Sequence, residues 1–168
     1  NIEYVLCEDK MKTILDARNI KSDEQSLSGQ NYREIDWVGM SCMQSYISEN
    51  EIKIPAEVDM FVDLKKSFRG IHMSRLYLLH RDQILGRKIS LDNANKVIKS
   101  MIESQEGLST MAQIKLSYKT LRETLSLKSE LKGFRSYPIV YQFIGDSTGV
   151  QKFILSFDII YSSTCPQS

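Results

Sequence analysis

Residues 62–76 read VDLKKSFRGIHMSRL, and the spacing of the apolar residues changes within this stretch. Before Lys65, apolar and polar residues alternate, which is the pattern of a half-buried strand. After Gly70, the apolar residues recur at every third or fourth position, which is the spacing of one helix face. The stretch therefore predicts a strand, a turn with two lysines and an arginine, and a helix, in that order.

The same two patterns continue on both sides of this stretch. Upstream, alternation covers residues 52–64, where Pro55 indicates a bulge, an edge position or two short strands. Downstream, the first helix ends near Gly86, and a second helix begins after the N-cap residue Ser90 and ends at Gly107. The second helix carries an apolar stripe made of Ala94, Val97, Ile98, Met101 and Ile102. Two helices are therefore expected after the first strand.

Strand patterns return after the second helix. We predict strands over about residues 112–125 and 137–144, and the compact turn Gly145–Gly149 leads to a last strand over residues 153–161. Aromatic residues alternate along these last strands, and we expect them in the core or at a subunit interface: Tyr137, Tyr141, Phe143, Phe153, Phe157 and Tyr161. The order of elements predicts an α+β fold in which two helices cover one face of an antiparallel β-sheet.

The composition is that of a globular domain. The chain has 168 residues, of which 42% are hydrophobic and 26% charged. Its net charge of +1 gives no general attraction to nucleic acid or acidic lipid, and no apolar run reaches the length of a membrane span. Three widely spaced cysteines favour a reducing compartment, so we expect a cytoplasmic protein with no nucleic-acid or membrane partner. We assign residues 1–35 to an N-terminal arm and residues 36–168 to the folded module.

The basic turn and the helix start form a candidate phosphate site. Helix N-termini present unpaired N–H groups and a positive dipole, and Ser74 and Arg75 would add donors. A solvated basic connection is the alternative. His72 is a candidate metal ligand, general acid or phosphate donor, or else caps or packs the first helical turn. We expect His80, on the apolar stripe of the same helix, to be structural.

The run Arg69–Arg75, called the signature segment below, resembles the "KGTHMSR" stretch of the type IB GTP cyclohydrolases I, with Arg69 for Lys and Ile71 for Thr. Upstream, Val38–Met40 and the Ile54–Pro55 strand resemble the beginning of that family's chains. The resemblance is therefore spread over separate segments in the expected order.

A third match lies near the end of the chain. Ser163–Pro166 resembles the family's Cys-Pro-Cys metal-binding segment, although Gln167 stands where the family has its second cysteine. The three matches together cover Asp36–Ser168, about the first half of a family chain.

This resemblance implies a fold and an activity. The family has the tunnelling fold (T-fold), with two modules per chain and a barrel-shaped homo-oligomer whose active sites lie between subunits. It converts GTP and water to 7,8-dihydroneopterin triphosphate and formate, in the first step of folate synthesis. The family also implies a divalent metal, zinc or in some members manganese, that activates water for attack on the guanine ring.

The resemblance also assigns roles to residues of this chain. Cys165 would be a metal ligand, although no His or acidic residue follows it. His72 would act in catalysis and in substrate binding, and Ser74, Arg75 and Arg69 would bind the substrate.

Two other functions remain open at this point. Another T-fold enzyme, the nitrile reductase of queuosine synthesis, uses a cysteine nucleophile, which would make Cys165 covalent rather than metal-bound. A catalytically silent T-fold module that serves only assembly is the other alternative.

Overall fold

A computed structural model describes residues 2–3, 34–49, 52–66, 68–88, 90–125 and 131–161 of the chain. The sheet within these ranges has six strands, and their spatial order is their order in the sequence. The strands are β1 (Ile2–Glu3), β2 (Ile35–Glu49), β3 (Ile52–Leu64), β4 (Met111–Leu125), β5 (Lys132–Asp146) and β6 (Gly149–Phe157). Neighbouring strands from β2 to β6 run antiparallel, whereas the short β1 pairs in parallel with β2.

The helices lie in the connection from β3 to β4. They are α1 (Met73–Leu79), which a π-helical turn (His80–Ile84) continues, and α2 (Leu91–Ser104). Neither helix has the length and apolar character that crossing a membrane requires. Within the described ranges, the predicted α+β class with two helices and an antiparallel sheet is confirmed.

Alternate residues of β3 and β4 form the sheet side of the core. The register sets three apolar pairs opposite one another: Val58 with Leu116, Met60 with Ile114, and Val62 with Ala112. Both helices cover this one face, because Leu76 of α1 and the predicted stripe of α2 belong to the same buried cluster. Burying each large apolar side chain contributes about 1.5–3 kcal/mol, so this layer holds the helices on the sheet.

The second helix begins and ends where the sequence predicts. The Ser90 Oγ accepts the N–H of Asn93 at 3.1 Å, which satisfies one of the unpaired donors of the first turn. At the other end, Glu106 and Gly107 have φ angles of 52° and 88°, so the chain leaves the helix in the left-handed region. The predicted cap and the predicted end are both confirmed.

The sequence pattern does not predict β2 as a strand, and a bulge explains why. The register of β2 against β3 shifts between Met40 and Met43, and Cys42 has a φ of 55° there. The Asp59 Oδ1 accepts the Cys42 N–H at 2.8 Å and stabilises the bulge. Because one extra residue moves the alternation by one position, no continuous period of two runs through β2.

The strand pairs separate at one end of the sheet. β3 pairs with β4 only over Ala56–Val62, although β4 and β5 remain paired far beyond this point. Among the strands that the structure describes, Pro55 therefore pairs with β2 alone, which confirms the edge position that its missing N–H favours. We call the part of β4 and β5 beyond Tyr118 the distal hairpin. It explains why β5 begins at Lys132, earlier than the predicted 137.

The last hairpin differs from the prediction in its bounds. β5 and β6 are joined by a two-residue turn, in which the Asp146 Oδ1 accepts the Thr148 N–H at 2.8 Å. β6 begins at Gly149, directly after this turn, and ends at Phe157. The predicted bounds of 153–161 are therefore wrong by four residues at each end, because the turn is shorter than the polar and glycine-rich sequence indicates.

The aromatic residues of these strands are only partly buried. Phe143 is 6% exposed, and its ring lies 5.0 Å from that of Phe153 between centroids. Phe153, Phe157 and Tyr161 are 48%, 58% and 84% exposed, and Tyr137 and Tyr141 are half-buried. The expected core position is thus confirmed for Phe143, and a subunit interface for the others stays a prediction.

Most of the predicted N-terminal arm lies outside the described residues. Of residues 1–35, the structure describes Ile2–Glu3, which pair with β2, and residues 34–35, where β2 begins. The division of the chain at residue 35 therefore stays a prediction. Cys165 and Gln167 also lie outside the described residues.

Candidate functional site

The end of β3 and the start of β4 are joined by a network around Asp63. Its carboxylate accepts the N–H groups of Thr110 at 2.6 Å and Met111 at 2.7 Å, and the Thr110 hydroxyl at 2.6 Å. The buried Ser109 hydroxyl donates to the Asp63 carbonyl at 2.6 Å. These bonds fix the point at which the chain leaves the sheet towards the signature segment.

The basic turn contains three cationic side chains, and they differ in whether they form hydrogen bonds with the residues that the structure describes. The Lys65 Nζ donates to the Gly107 carbonyl at 3.2 Å, and its N–H donates to the Leu108 carbonyl at 3.4 Å. Lys65 thus holds the turn after α2. Lys66 and Arg69 are exposed, and their side chains have no polar partner among the residues that the structure describes. They are the cations of this turn that remain available to an anion.

His72 is held through its main chain. Its N–H donates to the Gln105 Oε1 at 2.7 Å, and the Gln105 Nε2 donates to the His72 carbonyl at 3.4 Å. His72 is the N-cap residue of α1, but its side chain makes no capping hydrogen bond. The ring is mostly buried, since the residue is 9% exposed, and it forms no hydrogen bond with a described residue. Of the two structural alternatives for His72, packing remains and capping is excluded.

Three influences act on the imidazole of His72. Burial lowers its pKa most, the nearby Arg75 lowers it further, and Glu106 raises it. The net direction is downward from 6.5, so the neutral ring predominates at neutral pH. A neutral imidazole can accept a proton at one nitrogen and donate from the other.

Arg75 joins the two helices. Its Nη1 donates to the Ser104 carbonyl at 2.5 Å and pairs with the Glu106 Oε1 at 2.8 Å. A cation at the C-terminal end of α2 interacts favourably with the negative end of the helix dipole. The structure thus gives Arg75 a structural contact, and its Nε and Nη2 have no partner among the described residues. Its assignment to the substrate stays a prediction.

The signature segment therefore brings the predicted residues to one end of the sheet. These residues differ in their exposure and in their hydrogen bonds. Arg69 is exposed, Ser74 is half-buried with no side-chain hydrogen bond to a described residue, and His72 is held in place. His80 lies apart from them in the core, where burial lowers its pKa. This location agrees with the expected structural role of His80.

Gln105 and Glu106 were missed by the sequence analysis. Gln105 is fully buried, and Glu106 is the partner of Arg75. One signal was available, because Gln105 follows Met101 by four residues and so falls on the apolar stripe of α2. A polar residue in that register must find hydrogen-bond partners.

A metal site is not formed by the described residues alone. No group of three His, Cys, Asp or Glu side chains within them is arranged to hold a metal ion. Cys42, the cysteine within the described ranges, is exposed at the β2 bulge. These residues therefore do not fit a metal by themselves.

Comparison with known proteins bears on the signature segment directly. The sequence model of a family described as type I GTP cyclohydrolase FolE2 matches residues 22–168, which include the whole segment. The chain belongs to this family.

Individual FolE2 proteins resemble the chain over most of its length. The GTP cyclohydrolase FolE2 of Bdellovibrio bacteriovorus is 34% identical over 144 residues, which are 83% of this chain and 47% of that protein. The FolE2 of Pseudoalteromonas atlantica is 38% identical over 143 residues, 79% of this chain and 45% of that protein. The chain spans about half the length of the curated relatives it matches.

Proposed function

We propose that the chain contributes the first half of a type IB GTP cyclohydrolase I, which converts GTP and water to 7,8-dihydroneopterin triphosphate and formate. The observation that carries the proposal is the FolE2 family match over residues 22–168. The reaction begins tetrahydrofolate biosynthesis. The catalytically silent alternative would share the same fold and differ only in turnover.

The basic turn is suited to the triphosphate of GTP. Lys66 and Arg69 are exposed and have no polar partner among the described residues, so binding an anion breaks no existing contact of theirs. The Ser74 hydroxyl and the uncommitted nitrogens of Arg75 can add donors. Charge-assisted hydrogen bonds of this kind are among the stronger ones available to a protein.

His72 is suited to proton transfer or to a hydrogen bond with the substrate. Its ring is neutral at neutral pH because burial and Arg75 lower its pKa. A ring that is held in place and has no partner among the described residues can give or take a proton without first losing another contact. We therefore assign His72 to the reacting end of the substrate.

A divalent metal, zinc or manganese, belongs to the proposal, with Cys165 as one ligand. When bound, such a metal makes water a nucleophile near neutral pH. The described residues do not complete a ligand set, so the remaining ligands would come from other parts of the assembled protein.

The proposal includes the T-fold and its assembly. An antiparallel sheet with two helices between its second and third long strands is the expected arrangement of one T-fold module, and relatives twice as long leave room for a second. We propose a homo-oligomer with active sites between subunits. The widely spaced cysteines support a cytoplasmic location.

The test is GTP turnover by the complete protein, followed by pterin fluorescence, together with its metal content. Cys165→Ala should lose both metal and turnover. Cys42→Ser, at an exposed cysteine within the β2 bulge, should keep both. Full turnover in Cys165→Ala would exclude the metal assignment, and an inactive wild-type protein that holds its metal would favour the silent module.

A further inference from the structure

We infer that Gln105 is the positioning residue of the active site, which fixes the place of the His72 ring relative to the substrate. This inference rests on the proposed function, in which the His72 ring must lie at a fixed position relative to the substrate. Gln105 itself is fully buried, so its side chain has no surface exposed to solvent. Its effect would act entirely through His72.

The contact between the two residues is bidentate. One amide of Gln105 meets both main-chain groups of His72, accepting from its N–H at 2.7 Å and donating to its carbonyl at 3.4 Å. Two bonds to one residue fix its orientation as well as its distance. Because the backbone direction at His72 sets where its Cβ points, the clamp also limits where the imidazole can lie.

Helix α1 holds His72 only through its carbonyl, which accepts the Arg75 N–H at 3.2 Å. Its φ and ψ of −83° and 79° are not helical, and its N–H therefore depends on a partner outside the helix. The residues before it, from Phe68 to Ile71, form no regular element. The side chain of Gln105 supplies the missing partner from a position 33 residues further along the chain.

A helix end alone would not require this side chain. The main chain of Gln105 already closes α2 through its own N–H, which donates to the Ile102 carbonyl at 3.1 Å. An apolar residue would fill the same stripe position, whereas burying an amide is unfavourable unless its hydrogen bonds are made. The amide is used here to hold His72, and its Nε2 also lies 3.2 Å from the Ser104 Oγ.

The neighbouring residues act on the same segment. The Ser104 carbonyl and the Glu106 carboxylate both bind Arg75, three residues after His72. Three consecutive residues at the end of α2 therefore hold the signature segment, and Gln105 is the one among them that contacts His72 directly. The end of α2 determines the geometry of the candidate site.

The kinetic test compares Gln105→Met with Gln83→Met in the complete protein. Methionine keeps the length of glutamine and removes both hydrogen bonds to His72. Gln83 is a matched control, because its Nε2 also bridges to α2, at 3.3 Å from the Ser100 Oγ, but makes no hydrogen bond to His72. We expect Gln105→Met to lower kcat about 10–100-fold with little change in KM for GTP, since small misplacements of a reacting group have effects of this size. Gln83→Met should retain kcat.

A spectroscopic test does not depend on turnover. The chain has two histidines, His72 and His80, and both can be followed by NMR after histidine labelling. In Gln105→Met, the His72 ring signals should shift or broaden while those of His80 stay in place. Movement of both histidines would indicate a general loosening and would overturn the inference, as would an unchanged His72 signal.

Hydrogen exchange of the wild-type protein covers the case in which Gln105→Met does not fold. The His72 amide should exchange as slowly as the core amides of α2, although it lies outside any helix. Exchange as fast as that of Gly70 would overturn the inference. If the wild type does not turn over GTP, the proposed function fails, but the NMR and exchange results still decide whether Gln105 holds His72. If turnover is present and unchanged in Gln105→Met, the positioning role fails alone.

Discussion

Replacing Gly39 by alanine should weaken the centre of the sheet, because β2 and β3 leave no room for a methyl group there. A Cβ at Gly39 would lie 2.0 Å from the carbonyl oxygen of Met60 and 2.8 Å from the Cα of Phe61. Both atoms belong to the backbone of β3. This strand pairs with β2 on one side and with β4 on the other at this point, so it cannot move away from the added methyl group. β2 would have to move by about 1 Å, since ordinary carbon–oxygen contacts are about 3.3 Å.

The size of the effect follows from this geometry. Overpacking of a core costs about 1–3 kcal/mol. Stretching two ladder hydrogen bonds beside Gly39 adds about 1 kcal/mol each, so we expect a loss of about 3–5 kcal/mol in the free energy of unfolding. Because the slope of urea unfolding is about 2 kcal/mol per molar, the urea midpoint should fall by about 2 M.

Gly133→Ala is the matched control for this measurement. It makes the same change within a strand, but a Cβ at Gly133 would meet no atom within 4 Å. Its midpoint should stay close to that of the wild type. If the two variants unfold within about 0.3 M of each other, which corresponds to well under 1 kcal/mol, the steric reasoning is refuted.

Three further outcomes are expected from individual side chains. Arg69→Gln should raise KM for GTP about tenfold and leave guanosine binding unchanged, because a charge-assisted bond to phosphate is lost; Lys152→Gln, an exposed cation on β6, should change neither, and equal losses for GTP and guanosine would contradict the phosphate assignment. His80 has its pKa lowered from 6.5 by burial, so the folded state takes up its proton less readily than the unfolded chain, and stability should fall as the pH drops below 6.5. Because the pKa of His72 is lowered as well, His80→Phe should reduce this loss of stability without abolishing it. Denaturation curves recorded over this pH range measure the loss. An unchanged loss in His80→Phe would count against the burial argument. Asn95→Ala should destabilise the fold by about 1–2 kcal/mol, because its Oδ1 accepts the Val150 N–H at 2.7 Å; exchange at that amide should accelerate, and unaltered exchange would show that the bond is not made.

Local patterns account for what the sequence predicted correctly. β3 and α2 each follow one uninterrupted period, and Ser90 and Gly107 act through their own backbone neighbourhood. β2 was missed because its bulge at Cys42 divides the alternation. The bounds of β5 and β6 depend on pairing with neighbouring strands, and their aromatic residues occur on both buried and exposed positions.

The sequence predicted which residues belong to the candidate site, but it did not predict the contacts that they make. The signature segment was found, and it lies at one end of the sheet, between the turn after β3 and the start of α1. The sequence could not show which cations lack a polar partner. The contacts of Arg75 with Glu106 and of Lys65 with Gly107 depend on where the C-terminal end of α2 lies relative to the basic turn. The clamp from Gln105 joins residues far apart in the sequence, and only their packing reveals it.

The order of the strands has a consequence for the speed of folding. Short connections join the strands of three antiparallel pairs, β2–β3, β4–β5 and β5–β6, whereas the long segment of residues 65–110 joins β3 and β4. Closing that long connection is the slow, non-local step, and it requires α2 to pack as the strands meet. Substitutions in the α2 stripe should therefore slow folding, whereas substitutions in the distal hairpin, which forms without β3, should mainly accelerate unfolding.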